Sequence, residues 1–325
     1  MSEIKKFKRI GVLTSGGDAP GMNAAVRAVV RTALVQGVEV VGIFRGYSGL
    51  IEGDIRPLAL RDVSNIINKG GTMLYSDRCP EFKTPEGMAK AVENAKKWGI
   101  DGMVCIGGDG TFRGATALTA HGVPCIGIPA TIDNDIACTH YTIGFDTASN
   151  TAVEAIDKLR DTMQSHERCS IVEVMGNRSG NLTMYVGIAV GASSILIPER
   201  PIDVSEIYEK IRISRIRGRH HHIIVTAEGV GNAHELAEGI RQETGLDTRV
   251  TTLGHIQRGG SPTARDRVTA TRMGCRAVDA LLEGKSSRVI CNRNGIITDM
   301  DIEEALALPK EIHEDMFQTA SRITY

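Results

Sequence analysis

The sequence predicts an α/β protein of two domains, each a three-layer arrangement of a mostly parallel sheet flanked by helices. Three observations carry that prediction. Short β-branched runs alternate with helical periodicity from end to end, the signature of βαβ units. Two runs, 102–106 and 124–128, are almost continuously apolar, as strands covered on both faces must be. The strands are too many for one tidy doubly wound sheet, and 325 residues suit two domains of roughly 150 residues each. The architecture is Rossmann-like, and in such folds ligands sit at the carboxyl ends of the strands.

Taken in order, residues 9–14 read as a strand and 22–36 as a helix with Met22, Val26, Val29 and Ala33 on its apolar face. A strand follows at 39–44. The helix at 84–98 has Thr84 as its N-cap and Pro85 at its first position. Strand 102–106 leads into a glycine-rich loop and another helix, and strand 124–128 into an acidic one. Beyond them, helices are expected at 147–165, 181–190, 204–216, 233–244 and 262–282. Strands are expected at 169–174, 195–197, 223–226, 249–253 and 289–292. No Pro/Gly/Ser linker divides the chain, so composition leaves the domain boundary open. No short repeat and no low-complexity tract interrupts the pattern.

Composition excludes several function classes. The 38 Lys and Arg nearly cancel the 39 Asp and Glu, so bulk charge does not draw the protein to nucleic acid or to an anionic membrane. Aromatics are only 4% of residues, too few for base-stacking platforms. The uncharged stretch 114–132 contains Pro124, Pro129, His121 and several glycines, which makes it loop and strand material. The basic start of the chain, 1–9, has no apolar signal core. Seven scattered cysteines without a C-x-x-C pair read as reduced, buried residues of a cytoplasmic protein. An anion bound here needs a local cluster of donors.

Three consecutive strand ends supply candidates. The first runs into Ser15-Gly16-Gly17-Asp18-Ala19-Pro20-Gly21, then a helix. Glycines admit an anion close to the backbone and a helix N-terminus offers free N–H groups, although a plain strand–helix turn fits these residues as well. The second runs into Gly107-Gly108-Asp109-Gly110-Thr111, a glycine nest around one carboxylate. Such a nest can hold nucleotide phosphates while Asp109 serves the Mg²⁺ that bridges them. The third runs into Thr131-Ile132-Asp133-Asn134-Asp135. By itself this is a solvated turn; beside a Mg-nucleotide, one acid can take a proton from an attacking hydroxyl and the other can serve the metal. The later half supplies cations instead, in Thr248-Arg249 and in Leu253-Gly254-His255-Ile256-Gln257-Arg258. A dianionic phosphate needs several converging donors of that kind. Glu173-Val174-Met175-Gly176 and Glu228 also follow strands, where a carboxylate suits sugar hydroxyls.

The motifs GVLTSGGDAPGMNAAVR, SDRCPEF, CIGGDGT, TIDNDI, SHER, VEVMG and LGHIQRGGSP lie collinearly along nearly the whole chain. In them the sequence closely resembles the bacterial ATP-type 6-phosphofructokinase family. The resemblance implies transfer of a phosphoryl group from ATP to D-fructose 6-phosphate, the committing step of glycolysis. It implies an ATP-binding domain at 1–144 plus 257–307, and a fructose 6-phosphate-binding domain at 145–256 plus 308–325. Gly17, Tyr47, Arg78, Cys79, Gly108, Asp109, Gly110 and Thr111 would hold ATP, with Asp109 and Asp135 serving Mg²⁺. Asp133 would be the general base, and Arg78 and Thr131 would stabilise the transferring group. The sugar phosphate would meet Thr131, Ile132, Asp133, Met175, Gly176, Asn177, Glu228, His255, Ile256, Gln257 and Arg258, joined by Arg168 and Arg249 from a neighbouring subunit of a homotetramer.

Family resemblance also implies an effector site for ADP or phosphoenolpyruvate, built from Arg27, Arg31, Arg160, Arg217, Arg219, His220 and His221. Here the chain departs from the pattern. Arg61 replaces a tyrosine that packs on the effector nucleotide, Ser193 replaces an acid, and His220 replaces a lysine. Asn177 stands where an arginine is usual. Pyrophosphate-using relatives typically carry Asp at position 110 and Lys at position 130; this chain has Gly110 and Ala130, which favours ATP. Two other readings differ in class. A kinase of NAD or diacylglycerol would share the GGDG loop but lack TIDND and GHIQRGG, and a non-catalytic sugar-phosphate sensor would be expected to lose Asp109 or Asp133.

Overall fold

Three adjacent parallel strands, β1 (Arg9–Thr14), β4 (Gly102–Gly107) and β5 (Cys125–Pro129), form the centre of the first sheet. Every residue of β4 and β5 is buried, which is what their continuous apolar sequence requires. The computed structural model of the chain describes residues 7–310, 312 and 314–323. Residues 1–6, 311, 313, 324 and 325 lie outside them, and with them most of the basic N-terminal stretch and part of the expected 308–325 segment.

The chain forms two compact units. Unit 1 takes Met1–Thr131, Ile136–Thr147 and Arg258–Lys310; unit 2 takes Ile132–Asp135, Ala148–Gln257 and Glu311–Tyr325. Among the described residues, the sheet of unit 1 has seven strands in the order β11-β10-β5-β4-β1-β2-β3. Both edges are antiparallel: β3 (Ile55–Leu58) on β2 (Glu39–Ile43), and β11 (Ile296–Asp301) on β10 (Arg288–Arg293). Neither edge strand is apparent in the sequence. β3 contains Pro57, which an edge strand tolerates because one side needs no ladder donor. β11 reads Ile-Ile-Thr-Asp-Met-Asp and is half-exposed throughout. Helices α1 (Met22–Val35) and α9 (Ala264–Leu282) pack closely in the same unit, with Gly274 against Ala28. Helix α3 (Pro85–Lys97) begins as expected, the Thr84 hydroxyl accepting from Gly87 N at 3.1 Å.

Unit 2 has a wholly parallel sheet, ordered β7-β8-β6-β9. Its strands are β6 (Cys169–Val174), β7 (Ser194–Leu196), β8 (His222–Ala227) and β9 (Thr248–Thr252). Helices α7 (Val204–Ile216) and α8 (Ala233–Thr244) cover one face through Ile207, Ile211, Ala237 and Ile240. The long helix α5 (Phe145–His166) begins at the end of unit 1 and continues in unit 2. The C-terminal helix α11 (Glu314–Ile323), which has no counterpart in the sequence reading, packs on α6 (Asn181–Ala189). All seven cysteines are free, and five of them are buried.

His222 opens β8 at 1% exposure. Burial, followed by the nearby cations Arg219, His221 and Arg215, holds its pKa down at about 4, so it is neutral in the fold. The unfolded chain takes up this proton at about pH 6.5, so acid favours unfolding throughout the interval between the two values. Stability is therefore expected to fall as pH drops from about 6.5 towards 4, by at most about 3 kcal/mol from this residue. Denaturant unfolding of wild type and His222→Gln at a series of pH values checks this. A slope common to both proteins would exclude His222 as its source.

Candidate active site

The loops after β1, β4 and β5 are braced against one another by main-chain bonds. Ser15 N donates to Ile106 O at 3.0 Å, and Ala130 N to Gly107 O at 3.0 Å. The Thr111 hydroxyl donates to Ser15 O at 3.2 Å. Gly107 is required at the junction: a Cβ there would collide with both Ser15 O and the Thr111 side chain. A fourth segment joins them, as Gly16 N donates to Asp77 O at 3.2 Å and the Thr14 hydroxyl donates to Tyr75 O at 2.7 Å. This brings Arg78 and Cys79 beside the first glycine loop. Arg78 is exposed, with its backbone N–H fixed on the Asp77 carboxylate at 2.7 Å. Asp77 also accepts from Ser48 Oγ at 2.8 Å; its role was not evident from the sequence.

Asp109 opens helix α4 (Asp109–Ala120), where unpaired N–H groups and the helix dipole favour anions. A Cβ added at Gly108 or Gly110 would meet nothing within 4 Å, so the nest is open on that side. The Asp109 carboxylate already holds a cation, with Lys310 Nζ at 2.6 Å from Oδ2. Among the described residues no group of three or more His, Cys, Asp and Glu could cage a metal. A single carboxylate beside a glycine-rich loop is the kind of donor set that suits Mg²⁺, which keeps its waters and is carried by nucleotide phosphates with one or two protein carboxylates. Tyr47 is expected to line the nucleotide. It is 4% exposed, stacks on Phe82 at 4.0 Å between ring centroids, and donates to Thr111 O at 2.6 Å. In this position it supports the loop from beneath.

Arg258, expected with the sugar phosphate, belongs to unit 1, where Nη1 donates to Asp18 O at 3.1 Å. A Cβ on Gly17 would overlap its guanidinium. In unit 2, Asp133 is buried within the turn 132–135, and Asn181 Nδ2 donates to Asn134 O at 2.8 Å. Asn134 itself has a left-handed backbone, φ 47°. Ile132 is fully buried and Asp135 half-buried. Thr131 ends the first segment of unit 1, and Asp133 falls in unit 2.

Most of the other expected sugar-phosphate residues form two groups in unit 2. Arg168 and Arg249 share one acid, Asp247, through contacts of 2.7 and 3.2 Å. The parallel register pairs Cys169 with Thr248 and Ser170 with Arg249, so Arg168, just before β6, and Arg249 lie at the same end of the two strands. Around the end of β6, Asn177 N donates to the exposed Glu228 carboxylate at 2.6 Å, and Met175 N to Gln257 Oε1 at 3.3 Å. Gly176 has φ 139°, a conformation open to glycine, and Asn177 is left-handed at 55°. Gln257 is fully buried, while His255 and Ile256 are exposed. Of the expected effector residues, Arg27 and Arg31 lie on α1, while Arg160, Arg219 and His221 come together in unit 2. Burial first, then Arg219 and Arg160, pushes the His221 pKa down, and Arg160 donates to Val190 O. Arg217 caps α7 and His220 follows it in the turn.

The fold is a two-unit α/β protein with glycine-rich loops at the strand ends of unit 1 and paired arginines in unit 2. Comparison with known proteins makes the assignment specific. The family model described as "Phosphofructokinase" matches residues 9–281. Curated proteins of Bacillus velezensis and Bacillus subtilis, both named ATP-dependent 6-phosphofructokinase, are 55% identical over 98% of this chain and 100% of their own length. The structure of phosphofructokinase from Saccharomyces cerevisiae superposes with a TM-score of 0.87 at 35% identity, over 97% of this chain and 46% of that one. A pyrophosphate-dependent phosphofructokinase from Marinobacter aquaeolei shares the fold, with a TM-score of 0.84 at 21% identity over 98% of this chain and 92% of that one. The chain belongs to the phosphofructokinase family.

Gly17→Ala is expected to raise the KM for Mg-ATP by about tenfold, the equivalent of one lost hydrogen bond to a charged group. The Arg258 guanidinium can swing away, so Tm should change little. Steady-state kinetics with a melting curve checks both, and an unchanged KM would remove Gly17 from the nucleotide loop.

Proposed function

We infer that this protein transfers the γ-phosphoryl group of ATP to the 1-hydroxyl of D-fructose 6-phosphate, giving fructose 1,6-bisphosphate and ADP in the cytoplasm. The observation that carries the reading is 55% identity to ATP-dependent 6-phosphofructokinases over 98% of the chain. The braced loops of unit 1 support it chemically. Gly17, Gly108, Gly110 and Thr111 would cradle the phosphates, with Arg78 and Cys79 at the neighbouring segment. When bound, Mg²⁺ on Asp109 and Asp135 would neutralise phosphate charge. Asp133 would accept the proton of the sugar 1-hydroxyl as its oxygen bonds to phosphorus and the bond to the ADP oxygen breaks. Arg78 and Thr131 would stabilise charge on the transferring group, and positioning of this kind supplies most of the rate in phosphoryl transfer.

Glu228, Met175, Gly176 and Asn177 would hold the sugar. His255 and Arg258 would hold the 6-phosphate, completed by Arg168 and Arg249 of a neighbouring subunit in a homotetramer. ATP as donor is supported by Gly110, where no acid intrudes, and by the absence of a lysine at Ala130. A coupled assay should show turnover with Mg-ATP and none with pyrophosphate. Asp133→Ser should lower kcat by roughly 10²–10⁴, the usual worth of a general base. Turnover with pyrophosphate alone, or full activity of the variant, would overturn the donor or the base.

Regulation by an anion is part of the same reading. Arg160, Arg219 and His221 would bind a phosphate-bearing effector such as ADP or phosphoenolpyruvate. Ser193 brings a hydroxyl where the family pattern has an acid for effector-bound Mg²⁺, and Arg61 cannot stack as a tyrosine does. ADP activation is therefore expected to be weak, at most about threefold in KM for the sugar phosphate, less than 1 kcal/mol of coupling. Titrating ADP against sugar-phosphate saturation measures it, and a strong activation curve would refute the expectation.

A further inference from the structure

Helix α5 is joined at its first turn by a side chain from far along the chain. The position before Phe145 is Gly144, which has no side chain, and the free N–H groups of the first turn are met from another part of the chain. Asp266, in the first turn of α9, accepts from Gly144 N at 2.7 Å, Thr147 N at 2.9 Å, Thr147 Oγ1 at 2.5 Å and Tyr141 OH at 2.9 Å. It is 0% exposed. A carboxylate is kept in such a place only when its oxygens are fully engaged, because a buried acceptor without donors is costly. Thr263 strengthens the junction by accepting from Asp266 N at 3.3 Å, while Thr263 N donates to Thr147 Oγ1 at 3.0 Å.

The segment that Asp266 grips is not an isolated turn. Just before Gly144, Ile143 N donates to Pro129 O at 3.0 Å and pairs in a parallel bridge with Ala130. Next to it, Thr142 Oγ1 donates to Thr131 O at 2.7 Å. Tyr141, Thr142, Ile143 and Gly144 therefore form a strap. One side of it is fastened to Asp266 and the other lies along the end of β5 where Thr131 begins.

We propose that Asp266 is a positioning residue for phosphoryl transfer, holding the strap so that the Thr142 hydroxyl fixes the Thr131 peptide. The proposal rests on the transfer reaction inferred above. An asparagine at 266 keeps one acceptor oxygen and turns an NH₂ towards donors, so the strap loosens at Tyr141 or at the start of α5. Thr142→Val leaves all four bonds to Asp266 intact and removes the hydroxyl that donates to Thr131 O.

Asp266→Asn and Thr142→Val are each expected to lower kcat about tenfold while leaving both KM values within about twofold, because the oriented group acts in the transition state. The double variant should lose no more than Asp266→Asn alone, since the two residues act in series. In the protein without ligands, amide exchange of Asp266→Asn should quicken at Gly144 and Thr147 and also across 129–143. Wild-type turnover by itself tests the reaction, and the exchange pattern tests the coupling without any turnover. Exchange changes confined to Gly144 and Thr147, or kcat kept within twofold in Thr142→Val, would reduce Asp266 to a helix cap. Additive losses in the double variant would also overturn the proposal. If Asp266→Asn does not fold, Tyr141→Phe replaces it and should give a smaller fall in kcat at unchanged KM.

Discussion

The rest of the site depends on how closely three parallel strand ends can approach. Neighbouring strands lie about 4.8 Å apart, so their loops crowd unless one of them gives up its side chain. Gly107 is where that happens. Without a Cβ it lets Thr111 bond to Ser15 O and lets Ala130 N reach its own carbonyl, so the first two loops and the start of the third become one rigid rim. A flexible rim would have to be ordered by the ligand at an entropic cost. A rim fixed by main-chain bonds is preorganised before any ligand arrives.

The three central strand ends are legible from sequence because one physical demand produces one visible pattern. A strand covered on both faces must be apolar, and a backbone that approaches an anion must be glycine. That pattern places Asp109, Thr111 and the turn 131–135 correctly at strand ends. Edge strands escape the same logic. β3 and β11 face solvent on one side, so Pro57 and the acids of β11 are tolerated and no apolar run remains to be read. An aromatic near a loop reads equally as ligand contact or as core, and the stacking of Tyr47 on Phe82 is not visible in the sequence. Asp247, Asp266 and Thr142 stayed hidden for a different reason. Their partners are set by the fold, most plainly for Asp266, which lies 122 positions from Gly144, and no local spacing encodes such a meeting.

Burial separates the two kinds of carboxylate in this protein. Asp266 is sealed in and satisfied by neutral donors, an arrangement suited to holding geometry. Asp299 is also nearly buried, but Arg276, Lys285 and Arg288 surround it. Burial alone would raise its pKa, yet hydrogen bonds from those cations hold it at about 2. Asp299 fastens the β10–β11 edge at neutral pH. Neither acid lies where a ligand could reach it.

Two other carboxylates, Asp109 and Asp247, are paired with cations at the surface. Asp109 is paired with Lys310, whose side chain is 48% exposed, and Asp247 with Arg168 and Arg249, which are 33% and 63% exposed. Exposed ion pairs are worth little, typically about 0–1 kcal/mol, so exchanging one partner for a ligand costs little. In the proposed function, a cation arriving at Asp109 would displace a lysine that returns to water, and a phosphate arriving at the arginines would compete with one carboxylate. A chain of net charge −1 can in this way offer strongly basic and strongly acidic subsites without carrying bare charge between turnovers. Each ligand replaces a weak pairing of the protein's own with a multidentate one, and the gain is largest for ligands that carry several charges at the right spacing.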